Sequence, residues 1–101
     1  MKEIENKITS IKNSGENKEE KPFVEYADFI KASINSVVKG GFSIDDIRKR
    51  TRIIDAVENQ KEGKIILEDA DLVTLKGCIK VMKWAFVHKD IIKFVDDIEK
   101  C

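Results

Sequence analysis

Reactive and disulfide-bearing side chains are scarce in this chain: 101 residues hold two cysteines (Cys78 and Cys101), one histidine (His88), one proline (Pro22) and one tryptophan (Trp84). Two cysteines make no disulfide framework and their spacing fits no zinc pattern, so a reducing compartment is the simpler setting. No run approaches the roughly 18–20 apolar residues needed to span a bilayer. The Met1 end passes through Lys2, Glu3 and Glu5 without the apolar core of a secretory signal. The chain is therefore expected to be cytoplasmic, with no membrane partner. Net charge is missing too: 19 basic and 19 acidic groups cancel, with both signs interspersed. No global field steers nucleic acid or an acidic surface toward the protein.

What is present is periodic hydrophobicity. Ser43 to Glu58 reads SIDDIRKRTRIIDAVE, with Ser43 as a favoured N-cap and Asp45 and Asp46 set against the positive end of the helix dipole. Ile44, Ile47, Ile54 and Val57, with Thr51 between them, recur at spacings of three and four and predict a buried stripe. Tyr26, Ile30, Ile34 and Val37, with Phe29 and Val38 beside them, predict an earlier helix over Glu25–Lys39, stopped by Gly40 and Gly41. Leu72, Leu75, Ile79 and Met82 predict a third over Asp69–Lys83. Ile91, Phe94, Val95 and Ile98 predict a last one over His88–Lys100. The expected fold is mainly α: a compact three- to four-helix bundle, with at most a short two-stranded β patch pairing Pro22–Val24 with Lys64–Leu67. Residues 1–22 are expected to be a flexible N-terminal arm and 23–101 a single helical domain. Within the arm, Ile4, Ile8 and Ile11 fit a short helix that orders on a partner.

No catalytic, metal or cofactor constellation emerges. A calcium loop starting at Asp69 would need an oxygen ligand where Val73 stands, glycine where Thr74 stands and glutamate where Lys80 stands. Helix capping accounts for Glu68-Asp69-Ala70-Asp71 better. His88, at the start of the last helix, reads as a capping or surface residue, and Cys78 as a small core-edge residue. Cys101 is expected to be exposed.

Two contact surfaces remain as candidates. Trp84, Phe86 and Val87 form an apolar group in a helix connection, where they either plug the bundle or meet a partner. Arg48, Lys49, Arg50 and Arg52 are the basis for an alternative, a helix-turn-helix-like DNA-binding protein. Against it, Asp45 can pair with Lys49 and Asp46 with Arg50 one turn apart, cancelling much of that charge.

The order Gly41-Phe42-Ser43-Ile44-Asp45-Asp46-Ile47-Arg48-Lys49-Arg50, then Ile53-Ile54-Asp55-Ala56, then Leu67-Glu68-Asp69-Ala70-Asp71 with Leu75-Lys76, resembles small, mostly uncharacterised proteins of tailed bacteriophages and prophages. The resemblance covers residues 41–101. It implies a link to virion assembly or another phage-encoded protein contact, in the host cytoplasm or the virion, and brings no active site. The function expected is a small non-catalytic protein-interaction domain, binding itself or another phage or host protein and needing no cofactor.

Overall fold

The hydroxyl of Ser43 accepts from the Asp46 amide at 3.1 Å and starts helix α2, Ile44–Glu58. The structure is a computed structural model that describes residues 1–12, 22–36, 40–84 and 87–101. The other helices among these residues are α1 (Tyr26–Asn35), α3 (Asp69–Val81) and α4 (Lys89–Glu99). In α1, α3 and α4 the predicted stripes face inward: Tyr26, Ile30 and Ile34, then Leu72, Leu75 and Ile79, then Ile91, Phe94 and Ile98. Helix α1 stops earlier than its spacing suggested, at a Ser36 cap, and Val37 and Val38 lie outside the described residues.

Helix α2 is rotated from its expected orientation. Ile53 and Val57 face the core and Ile54 packs at its edge, whereas Ile44 and Ile47 remain 65% and 46% exposed. Both sets of residues have helical spacing, so periodicity alone could not choose between them. The inward side carries Arg50, which donates to the Ile34 carbonyl at 2.7 Å and lies 4.4 Å from the centre of the Phe42 ring. That bond satisfies one of the carbonyls left open at the end of α1. The ion pairs expected between Asp45 and Lys49 and between Asp46 and Arg50 do not form.

The expectation of a mainly helical bundle is overturned: the fold is α+β. Strands β1 (Lys2–Glu5), β2 (Ile8–Lys12), β3 (Phe23–Glu25) and β4 (Lys64–Leu67) form two antiparallel two-stranded sheets, β1 with β4 and β2 with β3. Lys64–Leu67 is thus a strand, but its partner is Lys2–Glu5. The predicted pairing with Pro22–Val24 does not occur, because Phe23–Glu25 pairs with Ile8–Lys12 instead. The N-terminal isoleucines are likewise on strands and not on a helix. Ile4 is buried opposite Ile65, Ile11 packs at the edge of the core, and Ile8 points outward. Alternation explains β1 and β4: Ile4, Ile65 and Leu67 go inward while Glu3, Glu5, Lys64 and Ile66 go outward. Residues 2–12 therefore belong to the folded unit, and residues 13–21 of the expected arm lie outside the described residues.

Asn6, between β1 and β2, ties these parts together. Its side-chain oxygen accepts from the Ala27 amide in the first turn of α1 at 2.9 Å. Its side-chain nitrogen donates to Gln60 at 3.0 Å and to Glu25 at 3.4 Å, and its backbone amide donates to the Gly63 carbonyl at 2.8 Å. Gly63 needs no side chain there: with φ +73° it follows Glu62, also left-handed, in the turn leading into β4.

Helix α4 is fastened to β2 and α1 on two levels. An aromatic group supplies the apolar contact, with the Phe94 ring 5.0 Å from Tyr26, 5.2 Å from Phe29 and 6.2 Å from Trp84. Two aspartates about two turns apart on one face of α4 supply the polar one. Asp90 accepts from the Ser10 amide at 2.9 Å and its hydroxyl at 2.7 Å; Asp97 accepts from the Tyr26 hydroxyl at 2.6 Å and Lys7 at 3.3 Å. These bonds hold both carboxyls below the usual range, the Ser10 amide foremost for Asp90 and the Tyr26 hydroxyl foremost for Asp97. Burial, then the bond to Asp97, pushes the Tyr26 phenol up.

Two expectations follow. Asn6→Ala deprives the first turn of α1 and the α2–β4 turn of their shared partner, and should lower stability in urea titrations by about 1–3 kcal/mol. A carboxyl whose folded pKa is depressed stabilises fully above its unfolded pKa, and that contribution is lost as pH falls through the folded value. Asp97→Asn should therefore be less stable than wild type at neutral pH. In thermal melts monitored by circular dichroism, the gap should begin to narrow as pH falls below about 4 and should close only at still lower pH, once Asp97 is protonated in the folded chain and both chains carry a neutral side chain.

Candidate functional site

Basic residues on α2 separate into two kinds. Arg50 is committed to Ile34 and Phe42, and Arg52 donates to the carboxylate of Asp71 at 3.0 and 3.3 Å. Asp71 is buried in the first turn of α3, so this bond joins the two helices and satisfies a carboxylate held away from water. Arg48 and Lys49 are left exposed. The quartet is therefore not one open surface: two members hold the fold together and two are free for solvent or a ligand.

The apolar candidates also separate. Ile4 belongs to the core, Ile11 packs against it, and Ile8 is exposed. Trp84 lies half-buried in the connection between α3 and α4, edge-on to Phe29 with ring centres 5.4 Å apart. Val87, three residues further, is fully exposed. Phe86 lies outside the described residues. Trp84 thus closes the end of the aromatic core with one face, while its other surroundings form an open groove of about 260 Å3 with Val87, His88, Ile91 and Ile92. Ile92 is 64% exposed, so two aliphatic side chains stand free at the rim.

Local sequence explains the corner. Helix α3 ends at a Met82 cap and α4 starts at His88, whose Nδ1 accepts from the Asp90 amide at 3.0 Å. This capping fixes the imidazole at the wall of the groove. Ile92 was missed by the pattern that found Ile91, Phe94, Val95 and Ile98. The available signal was its position off that stripe, an isoleucine on what should be the polar side of an amphipathic helix.

A second concavity, of about 320 Å3, lies between β2 and α4 and is lined by Lys7, Ile8, Thr9, Ser10, Tyr26, Lys89, Asp90 and Lys93. Its polar groups are largely engaged: Thr9 donates to the Val24 carbonyl at 2.7 Å, and Ser10 and Tyr26 are bound to the two aspartates. A raised phenol and depressed carboxyls are groups held in their ordinary charge states at neutral pH. That arrangement suits structural hydrogen bonds better than proton transfer, which calls for a pKa near the working pH.

Among the described residues no group of three or more His, Cys, Asp or Glu side chains could hold a metal ion. Burial pushes the Cys78 thiol up and leaves it protonated. Cys101 is partly buried against the core rather than exposed, with its sulfur 3.4 Å from the Asp97 carbonyl. No helix among the described residues is long and apolar enough to cross a membrane.

The division within the basic quartet is testable by stability alone. Arg52→Ala strands the buried Asp71 carboxylate and should lower the urea midpoint clearly, whereas Arg48→Ala and Lys49→Ala should leave it within experimental error. Equal effects for all three would show that the Arg52–Asp71 contact does not hold α2 to α3.

The chain matches no protein-family model, and no curated protein or solved structure is significantly similar to it.

Proposed function

We propose that this chain is a small, non-catalytic protein-interaction domain whose contact surface is the corner between α3 and α4. The observation that carries the reading is the groove beside Trp84, where Val87 and Ile92 are left in water at the rim. Exposed aliphatic residues scattered singly need no explanation, but here two border a concavity walled by an aromatic ring and a fixed imidazole. Large apolar anchors seated in such a recess are what concentrate binding energy at protein interfaces. The groove is smaller than the roughly 300–1,000 Å3 usual for small-molecule sites, which favours a side-chain anchor over a cofactor.

A phage-linked setting, with a role in virion assembly or another phage-encoded contact, belongs to this proposal through the resemblance of residues 41–101. The DNA-binding alternative is weaker, because only Arg48 and Lys49 of its four basic residues remain unengaged and phosphate contacts need more free cations.

Affinity capture from the source lysate with the wild-type chain and with a Val87→Glu/Ile92→Glu variant tests the reading, with light scattering on both to detect self-association. Both substitutions are on exposed positions, so the variant should keep its circular dichroism spectrum. The wild type should retain a protein, or a second copy of itself, that the variant loses. Identical behaviour of the two chains in both assays would refute the proposal.

A further inference from the structure

The charge around the corner is not the balanced mixture found elsewhere in the chain. From Leu72 to Lys89 the sequence carries Lys76, Lys80, Lys83 and Lys89, with no Asp or Glu. Lys76 is taken up at the end of the chain, donating to the Cys101 carbonyl at 2.7 Å. Lys80, Lys83, Lys89 and Lys93 form no ion pair among the described residues, and all four are exposed. Lys83 directly precedes Trp84 and Lys93 directly follows Ile92, so an ammonium group without an ion pair flanks the groove's lining residues at each end in sequence, with Lys89 between them. Lys89 also lines the neighbouring cleft, together with Lys93 and Lys7. A basic strip therefore leads away from the apolar recess along the first half of α4. The one acid in this half, Asp90, is bound to Ser10 on β2 through the oxygen that also lies 3.9 Å from His88 Nδ1, and it does not line the groove. The N-terminal end of α4 adds the positive end of its dipole.

We propose that the corner receives an acidic peptide segment of a partner protein. One large apolar side chain seats against Trp84 and Ile91, and the adjoining Asp or Glu residues meet Lys83, Lys89 and Lys93. This rests on the reading of the chain as a protein-interaction domain and adds the chemistry of what it binds. Unpaired cations around an apolar recess select by sign as well as shape, since a basic segment placed there meets like charges. An anionic lipid surface is the competing occupant, and two features oppose it. The recess is concave, and Asp96 and Glu99 follow Ile92 at spacings of four and seven on the same side of α4, where they would face the headgroups.

The test is selection of a yeast-displayed random peptide library on the full chain, with counter-selection on Ile92→Glu. Enriched peptides should carry a Trp, Phe or Leu flanked by Asp and Glu. Their binding should shift the fluorescence of Trp84, the only tryptophan, and should weaken about tenfold or more in a Lys83→Glu/Lys89→Glu variant. Vesicles of phosphatidylcholine, with and without phosphatidylserine, form the second arm and should leave Trp84 unchanged. Enriched peptides that depend on Ile92 but are basic or uncharged would overturn the acidic chemistry while leaving the interaction surface standing. No Ile92-dependent enrichment, or a Trp84 shift only with phosphatidylserine, would overturn the peptide site itself.

Discussion

Asn6 is the polar side chain that joins the start of α1 to the end of α2. A carboxamide has one acceptor and two donor hydrogens, and here they reach two regions far apart in sequence: the start of α1, at the Ala27 amide and the Glu25 side chain, and Gln60 after α2. Its own amide, bound to Gly63, continues the register that pairs Glu5 with Lys64. Without that junction the first strand pair would have a hydrophobic reason to close, through Ile4 and Ile65, but no fixed angle to α1. The position of α1 in turn decides where Tyr26 and Phe29 stand, and these rings seat Phe94 and Trp84.

The α3–α4 corner is the far end of the same chain of contacts. Trp84 is pulled against Phe29 and Phe94, and His88 closes the first turn of α4 by capping it. Between these two anchors Val87 is left outside, and Ile92 follows one turn into the helix. The recess thus arises because the aromatic core uses only part of the tryptophan surface. Meanwhile the aspartates that fasten α4 are engaged by Ser10, Tyr26 and Lys7, and the corner's lysines form no ion pair among the described residues. Packing and electrostatics together give one surface of distinct character to an otherwise charge-balanced protein.

The helices were readable because each carries its own evidence. Ser43 and the acidic first turns mark starts, and stripes at three and four residues mark faces, all within a few turns of chain. Limits appeared wherever two local readings were equally good. In α2, Ile44 and Ile47, three apart, and Ile53 and Val57, four apart, both have helical spacing, and the side that turns inward is the one that also carries Arg50, with its reach to Ile34 and Phe42. The strands were harder. Ile4, Ile8 and Ile11 satisfy a helical spacing, whereas the alternation that makes Lys2–Glu5 a strand spans four residues and depends on a partner some sixty positions away. The proposed contact site was half visible: Trp84 and Val87 stood out as apolar residues in a connection, while Ile92 was hidden on a helix whose main stripe looked complete.

By itself the sequence determined where helices begin and which of α1, α3 and α4's residues turn inward, because those properties follow from neighbours within a turn or two. Tertiary structure alone decided that the fold is α+β, that Arg50 and Arg52 serve the fold while Arg48 and Lys49 do not, and that Asp97 meets Tyr26 and Lys7. Each of these is a pairing across a large sequence separation. The backbone groups of a short strand and the charge of a buried carboxylate must be satisfied by something, but which distant residue arrives to do so is fixed only when the whole chain has packed.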